Sequence, residues 1–148
     1  METRKLLVKK LSPNAVMPKY ASSSAAGADI YACIDEGVAI APGETALIPT
    51  GIALRIPDGY AGFVFARSGL ATKNGIAPAN KVGVIDSDYR GELMISLYNQ
   101  SAAEYTVMPG ERIAQLVIMP VVTALFEEAG ELDVTERGNG GFGSTGSL

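Results

Sequence analysis

Histidine and tryptophan are absent from the 148 residues, and cysteine occurs once, at Cys33. Without histidine there is no Ser-His-Asp triad, and the commonest general base and metal ligand is gone. Any acid or base must be a carboxylate, a lysine or a tyrosine. One cysteine allows neither an intrachain disulfide nor a zinc cluster, in keeping with a reducing compartment. Long apolar runs are lacking as well. Proline, glycine or charge interrupts each one well short of the ~20 residues of a membrane span. Met1-Glu2-Thr3-Arg4-Lys5 leads into too short an apolar run for a secretory signal, so the expectation is a soluble, cytoplasmic protein with no membrane partner. Nor is positive charge in excess. With 12 Lys and Arg against 16 Asp and Glu, the formal net charge of −4 excludes a broad basic face that tracks nucleic acid. A small polyanion remains open as a ligand, held by local arginines, backbone N–H groups and a divalent cation.

What is present is a β pattern. The length fits one domain, large enough to bury roughly 68–70% of its unfolded surface. Turn signals recur every eight to twelve residues, among them Pro42-Gly43, Pro57-Asp58-Gly59 and Pro109-Gly110. They separate short apolar segments: Lys5 to Leu11, Ala28 to Cys33, Val38 to Ile40, Thr45 to Ile48, Ile52 to Ile56, Tyr60 to Ala66, a strand and turn over Tyr105 to Gly110, Arg112 to Met119 and Val121 to Phe126. That spacing predicts an all-β sandwich or barrel. One short helix is expected after Arg67, with Ser68 as its N-cap, Leu70 to Lys73 as its body and Asn74-Gly75 as its stop. No internal repeat and no sustained 3.6-residue apolar stripe occurs.

Chemistry concentrates in Gly83-Val84-Ile85-Asp86-Ser87-Asp88-Tyr89-Arg90-Gly91. Leu93, Ile95 and Leu97 then alternate with Glu92, Met94, Ser96 and Tyr98, which predicts an antiparallel strand buried on one face. The polar residues are therefore expected on the turn of a hairpin. Asp86 and Asp88 read equally well as functional carboxylates or as Asx-turn residues. Tyr89 reads as a binding ring or a cross-strand aromatic. Arg67-Ser68-Gly69 at a helix entry offers a cation, a hydroxyl and N–H groups to an anion, although Ser68 alone reads as a cap. Gln115 interrupts an apolar strand and needs a partner if buried. Asp29 opens another strand.

Beyond Glu128 the composition turns acidic and then glycine-rich, from Arg137-Gly138-Asn139-Gly140-Gly141 into Phe142-Gly143-Ser144-Thr145-Gly146. Such a segment cannot bury enough apolar surface to order itself, and a frayed terminus is the ordinary reading. One arginine, one ring and a Ser-Thr pair in a glycine frame also suit a closing phosphate clamp. The Walker order G-x-x-x-x-G-K-[ST] is absent, so any phosphate is held in another way.

Five segments in order resemble the trimeric dUTP diphosphatase (dUTPase) family across essentially the whole chain. They are Ala26 to Ala32, Arg67 to Ala71, Gly83 to Gly91, Gly110 to Leu116 and Arg137 to Gly146. The resemblance implies an all-β, jelly-roll-like barrel or sandwich over residues 1–128, with a flexible C-terminal arm over 129–148 that closes over a neighbouring subunit's site. It implies a homotrimer with shared active sites, dUTP as substrate and Mg²⁺ as cofactor. Water would attack the α-phosphorus to give dUMP and pyrophosphate, limiting uracil in DNA and supplying dUMP for thymidylate synthesis.

By the same resemblance, Asp86 is the base that activates water and Asp88 only a turn acid. Tyr89 packs on deoxyribose. Asn80, Met94 and the backbone of Gly83, Val84 and Ile85 read uracil. Arg67, Ser68, Gly69 and Gln115 serve the phosphates, while Arg137, Phe142, Gly143, Ser144 and Thr145 contact γ-phosphate and base from the arm. Asp29 reaches Mg²⁺ indirectly through water. Pro78 and Lys81 receive no role. The rivals are a dCTP deaminase on the same fold, which needs a glutamate beside the base, and a nucleotide-sensing protein without turnover.

Overall fold

The computed structural model describes residues 3–141. Eleven strands and one helix follow one another as β1 (Leu7–Lys10), β2 (Lys19–Tyr20), β3 (Ala28–Tyr31), β4 (Val38–Ile40), β5 (Thr45–Arg55), β6 (Tyr60–Phe65), α1 (Ser68–Asn74), β7 (Ile76–Pro78), β8 (Gly83–Ile85), β9 (Glu92–Asn99), β10 (Tyr105–Val107) and β11 (Arg112–Pro120). A four-stranded sheet runs β1-β5-β9-β7, a five-stranded sheet runs β2-β3-β11-β6-β8, and β10 pairs with β4. All pairings are antiparallel. This is the jelly-roll-like, all-β architecture with one short helix that the sequence predicts. Among the described residues no helix is long and apolar enough to cross a membrane.

One core joins the sheets. Ile48, Ile52 and Leu54 of β5 and Leu93, Ile95 and Leu97 of β9 meet Ile30 of β3, Val64 of β6, Ile85 of β8, and Ile113 and Leu116 of β11. The strict alternation of β9, every second residue buried, puts one face on the core and leaves Met94 and Ser96 on the other. Burying a side chain of this size contributes about 1.5–3 kcal/mol, so β9 alone anchors its sheet firmly.

Several expectations are corrected. Thr45 to Ile48 and Ile52 to Arg55 belong to one eleven-residue strand rather than two, continuous through Pro49-Thr50-Gly51, with Ile56 just beyond its end. The continuity is bought with a bulge: β5 advances from Pro49 to Ala53 while β9 moves only from Met94 to Glu92. Gly51 takes the left-handed φ of 68° there, and a Cβ on it would lie 2.7 Å from Cys33 Sγ. Strands β2 and β7 have no counterpart in the sequence reading, because both are too short to show a period. Pro78 is tolerated in β7 because that strand is a sheet edge. Val121 to Phe126 is not a strand, since Pro120 ends β11 and the chain beyond it lies exposed, Val122 at 96% and Phe126 at 91%. At α1 the cap position falls to Arg67, with no side-chain cap bond, and Ser68 is the first helical residue. Gly75 closes the helix with φ 68° as expected.

The turn from β10 to β11 is held by Glu111, which accepts a hydrogen bond from the Tyr105 hydroxyl and one from the Met108 N–H at 2.9 Å. Burial, then the bond to Glu111 and its charge, push the Tyr105 phenol up from the ordinary 10.0 to about 12. A folded value above the unfolded one means that this contribution to stability is intact below pH 10. It is lost as pH rises from about 10 to about 12. In an alkaline absorbance titration, Glu111→Gln should move the last-ionising tyrosine to lower pH yet keep it above its ordinary value, because burial, the larger cause, is untouched.

Candidate active site

The stretch from Gly83 to Gly91 is not a hairpin. Strand β8 pairs with β6 in the five-stranded sheet, whereas β9 pairs with β5 and β7 in the other, so Asp86 to Gly91 crosses from one sheet to the next. A tight turn makes the crossing: the Tyr89 N–H donates to the Asp86 carbonyl at 3.2 Å. The Arg90 guanidinium donates to the carbonyls of Ser87 and Tyr89 at 2.6 and 2.9 Å.

A cleft of about 260 Å³ opens at this corner. Of the residues singled out from the sequence, Asn80, Gly83, Val84, Ile85, Asp86, Tyr89 and Met94 line it. The strand order explains the gathering. Strand β8 ends its sheet and β7 ends the other, so both present an edge without a strand partner, and β9 supplies a wall between them. Unpaired edge N–H and C=O groups can read a planar ring by hydrogen bonds. Asn80 lies over Gly83, where a Cβ would sit 3.3 Å from its Nδ2. Its loop is fixed by Lys81, whose left-handed φ of 66° is the only positive φ at a non-glycine among the described residues, and whose ammonium stands 5.8 Å from the Tyr98 ring centroid.

Asp86 is exposed, and its carboxylate makes no hydrogen bond or ion pair among the described residues. The Asx-turn alternative is therefore not realised here, because the turn closes through backbone groups and Arg90. Val64, Pro78, Glu92, Leu93, Ile95 and Ser96 also line the cleft, although the sequence did not single them out as site residues. Glu92 and Ser96 were discernible as the outward positions of β9; Pro78 and Val64 depended on strand pairing. Glu92 is the carboxylate a deaminase would want, but its Oε1 already accepts the Gly51 N–H at 2.7 Å.

A second cluster stands apart from the cleft. Asp29, only 6% exposed, accepts from Arg67 Nε at 2.9 Å on Oδ1 and from Arg112 Nη1 at 3.2 Å on Oδ2. Arg67 Nη1 also donates to the Arg112 carbonyl at 3.3 Å. Register puts Gln115 opposite Asp29, and the Gln115 amide lies on Gly27, where a Cβ would meet Oε1 at 2.7 Å. Ser68 and Gly69 follow Arg67 at the exposed start of α1. Cation, amide and helix N–H groups thus share one rim. Arg137 is exposed and donates from Nε to the Gly140 carbonyl at 2.9 Å. Phe142, Gly143, Ser144 and Thr145 lie outside the described residues.

The donor set does not fit a metal cage built by the protein. Both Asp29 oxygens carry guanidinium partners. Among the described residues no three His, Cys, Asp or Glu side chains gather where they could hold an ion.

The two clusters also point in opposite directions along β6. Gly83 pairs with Val64 and Ile85 with Gly62, so going from Gly83 toward Asp86 leads away from Arg67. The six residues from Gly62 to Arg67 span roughly 17 Å at the rise of an extended chain.

Fold and site define a class: a jelly-roll β protein with an edge-strand cleft and, at its mouth, a carboxylate without a partner among the described residues. Within that class the chain belongs to the dUTPase family, whose sequence profile matches residues 13–146. It is 50% identical over 143 residues to the deoxyuridine 5'-triphosphate nucleotidohydrolase of Tolumonas auensis, covering 96% of this chain and 95% of that one. It is 53% identical over 131 residues to that of Burkholderia thailandensis, covering 88% of each. A point mutant of the Staphylococcus bacteriophage 80alpha dUTPase solved with dUpNHpp superposes with a TM-score of 0.89 at 35% identity, covering 97% of this chain and 99% of that one. A mutant dUTPase from phage phi11 of S. aureus, described with a structural Mg(II) ion, matches with a TM-score of 0.78 at 31% identity, covering 86% and 98%.

Asp29→Asn keeps the shape but removes the charge that holds two arginines. It should lower unfolding stability by about 1–3 kcal/mol, read as a drop in urea midpoint at unchanged slope.

Proposed function

We propose that the chain hydrolyses dUTP to dUMP and pyrophosphate in a site shared between copies of itself. The observation that carries the reading is Asp86, an unengaged carboxylate at the mouth of a cleft whose other end is an exposed strand edge. Uracil fits that edge: it offers a ring N–H donor and a carbonyl acceptor where cytosine offers the reverse. A rigid edge rejects cytosine by leaving buried groups unpaired, a stronger sieve than the ~1–3 kcal/mol gained by excluding the thymine methyl. With the base at Asn80, Met94 and Gly83 to Ile85, the sugar lies against Tyr89 and the α-phosphorus reaches Asp86.

The reaction asks for an in-line water and neutralised oxygens. Asp86 accepts a proton from water as the oxygen bonds to the α-phosphorus, the bond to the bridging oxygen breaks, and pyrophosphate leaves. Closure that strips water from a carboxylate strengthens it as a base, which suits a site open in the lone chain. Because this chain's own Arg67 lies on the far side, the arginine, Ser68, Gly69 and Gln115 that meet the phosphates come from a second copy. Asp29 acts by orienting Arg67. Mg²⁺ travels with the triphosphate as part of the substrate and offsets its charge.

A homotrimer supplies the needed copies, and the exposed apolar residues beyond Pro120, with Val122, Leu125 and Phe126 above 90%, support burial against a neighbour. The arm over 129–148, with Arg137 and the residues from Phe142 to Thr145, then closes the site.

Pyrophosphate release should be seen with dUTP and far less with dCTP, dTTP or UTP. Asp86→Asn should cut turnover by roughly 10²–10⁴-fold while binding of a non-hydrolysable analogue changes much less. Near-normal turnover in that variant would remove Asp86 from the mechanism. Sharing has its own test. Asp86→Asn and Arg67→Ala proteins, each inactive, are unfolded, mixed in equal amounts and refolded. If each site draws these residues from different copies, about a quarter of wild-type activity should return. A site contained in one chain would recover nothing.

A further inference from the structure

We infer that Gly91 and Glu92 are positioning residues that fix the Tyr89 ring, and that discrimination against ribonucleotides depends on them as much as on Tyr89. The inference rests on the reading above, in which the sugar lies against this ring.

A tyrosine ring on a surface turn has two freely rotating bonds, and a ring that swings makes a poor steric wall. Here it is held at two points. Its hydroxyl donates to the Glu92 carbonyl at 2.9 Å. The hydroxyl end of the ring lies against Gly91, so close that a Cβ there would come within 2.6 Å of Cζ and 3.0 Å of Cε2. The Gly91 φ is not in the left-handed region, so glycine is required for room and not for backbone conformation. Any larger residue has a cheap escape, since the atoms it meets are the far end of a side chain that can rotate away. The fold survives that rotation and the wall does not.

The acceptor for the ring is itself held. Glu92 Oε1 accepts the N–H of Gly51 at 2.7 Å, and Thr50 Oγ1 donates to the Leu93 carbonyl at 2.6 Å. Both partners belong to the β5 bulge. Gly51 is seated against Cys33 and Ala15, and Thr50 is 1% exposed. Bulge, Glu92 and Tyr89 hydroxyl thus form one line from the core to the cleft. Glu92 lines that cleft, yet in this line its carboxylate is an anchor to β5.

The experiment compares kcat/KM for dUTP and UTP, with thermal melting, in full-length Tyr89→Ala, Tyr89→Phe, Gly91→Ala, Glu92→Ala and Glu92→Gln proteins. Tyr89→Ala tests the underlying reading: if its preference for dUTP over UTP equals that of wild type, the ring does not face the sugar. Given that it relaxes, Gly91→Ala, Tyr89→Phe and Glu92→Ala should each raise the UTP to dUTP ratio by about tenfold, mainly by lowering KM for UTP. Glu92→Gln, which keeps an acceptor for Gly51, should restore the wild-type ratio. Melting of Gly91→Ala should stay within a few degrees of wild type. Should that variant fail to fold, Tyr89→Phe and the Glu92 pair decide the matter. A relaxed Tyr89→Ala beside wild-type ratios in Tyr89→Phe and Glu92→Ala overturns the inference and leaves the sugar reading standing.

Discussion

The structure depends on how six residues, Asp86 to Gly91, pass from the edge of one sheet to the middle of the other. Strand β9 must enter its sheet with Leu93, Ile95 and Leu97 inward, because shifting it by one residue would turn that whole apolar set to solvent. The bulge in β5 fixes the entry point, with Thr50 and Gly51 bonded to the first residues of β9. Once β9 is locked, the crossing segment has little freedom. Asp86 is left projecting at the corner without a partner, and Tyr89 is laid over Gly91. The Asp86 carboxylate is thus placed by its neighbours' bonds and not by bonds of its own among the described residues.

A similar division of labour appears around Asp29. A carboxylate so deeply buried is tolerated only with compensating charge, and two arginines supply it. The pair aims Arg67 from the strand side while α1 begins beside it. That cluster cannot complete the cleft of its own chain, because β6 carries the two apart. In the proposed assembly the geometry that looks incomplete in one copy becomes complete between copies, which makes association a condition of catalysis.

Much of this was legible in the sequence. Strands β3, β4, β6, β9, β10 and β11 announce themselves through alternation and turn residues, since period two reflects a half-buried pleat. The left-handed Gly75 ends α1 where Asn74-Gly75 said it would. Asn80, Gly83, Val84, Ile85, Tyr89 and Met94, the residues expected to meet base and sugar, fall in one cleft because all six lie within a few positions of β8 or the crossing. Where the reading failed, the cause was a pairing that leaves no local mark. The hairpin after Gly83 was inferred from two adjacent strands and a polar turn, yet a turn of the same composition serves equally to change sheets. Pro49 and Gly51 looked like a break in β5, because a bulge and a turn use the same residues. Val121 to Phe126 has strand composition, but it lies exposed and pairs with no strand among the described residues. Glu92 went unnoticed as a site residue because outward positions of a strand ordinarily face water.

By itself, the sequence determined the β class, the single helix, the lack of any histidine to act as base or ligand, and the family to which the chain belongs. Those are matters of composition and local periodicity, which covalent order sets directly. Only the tertiary structure decided which acid stands free and which is neutralised. It also decided that the Glu92 carboxylate is bonded to Gly51 of β5, and that Arg67 and Asp86 lie toward opposite ends of β6. Each of these depends on which strand lies beside which, and pairing is chosen by burial of the whole core rather than by any one segment.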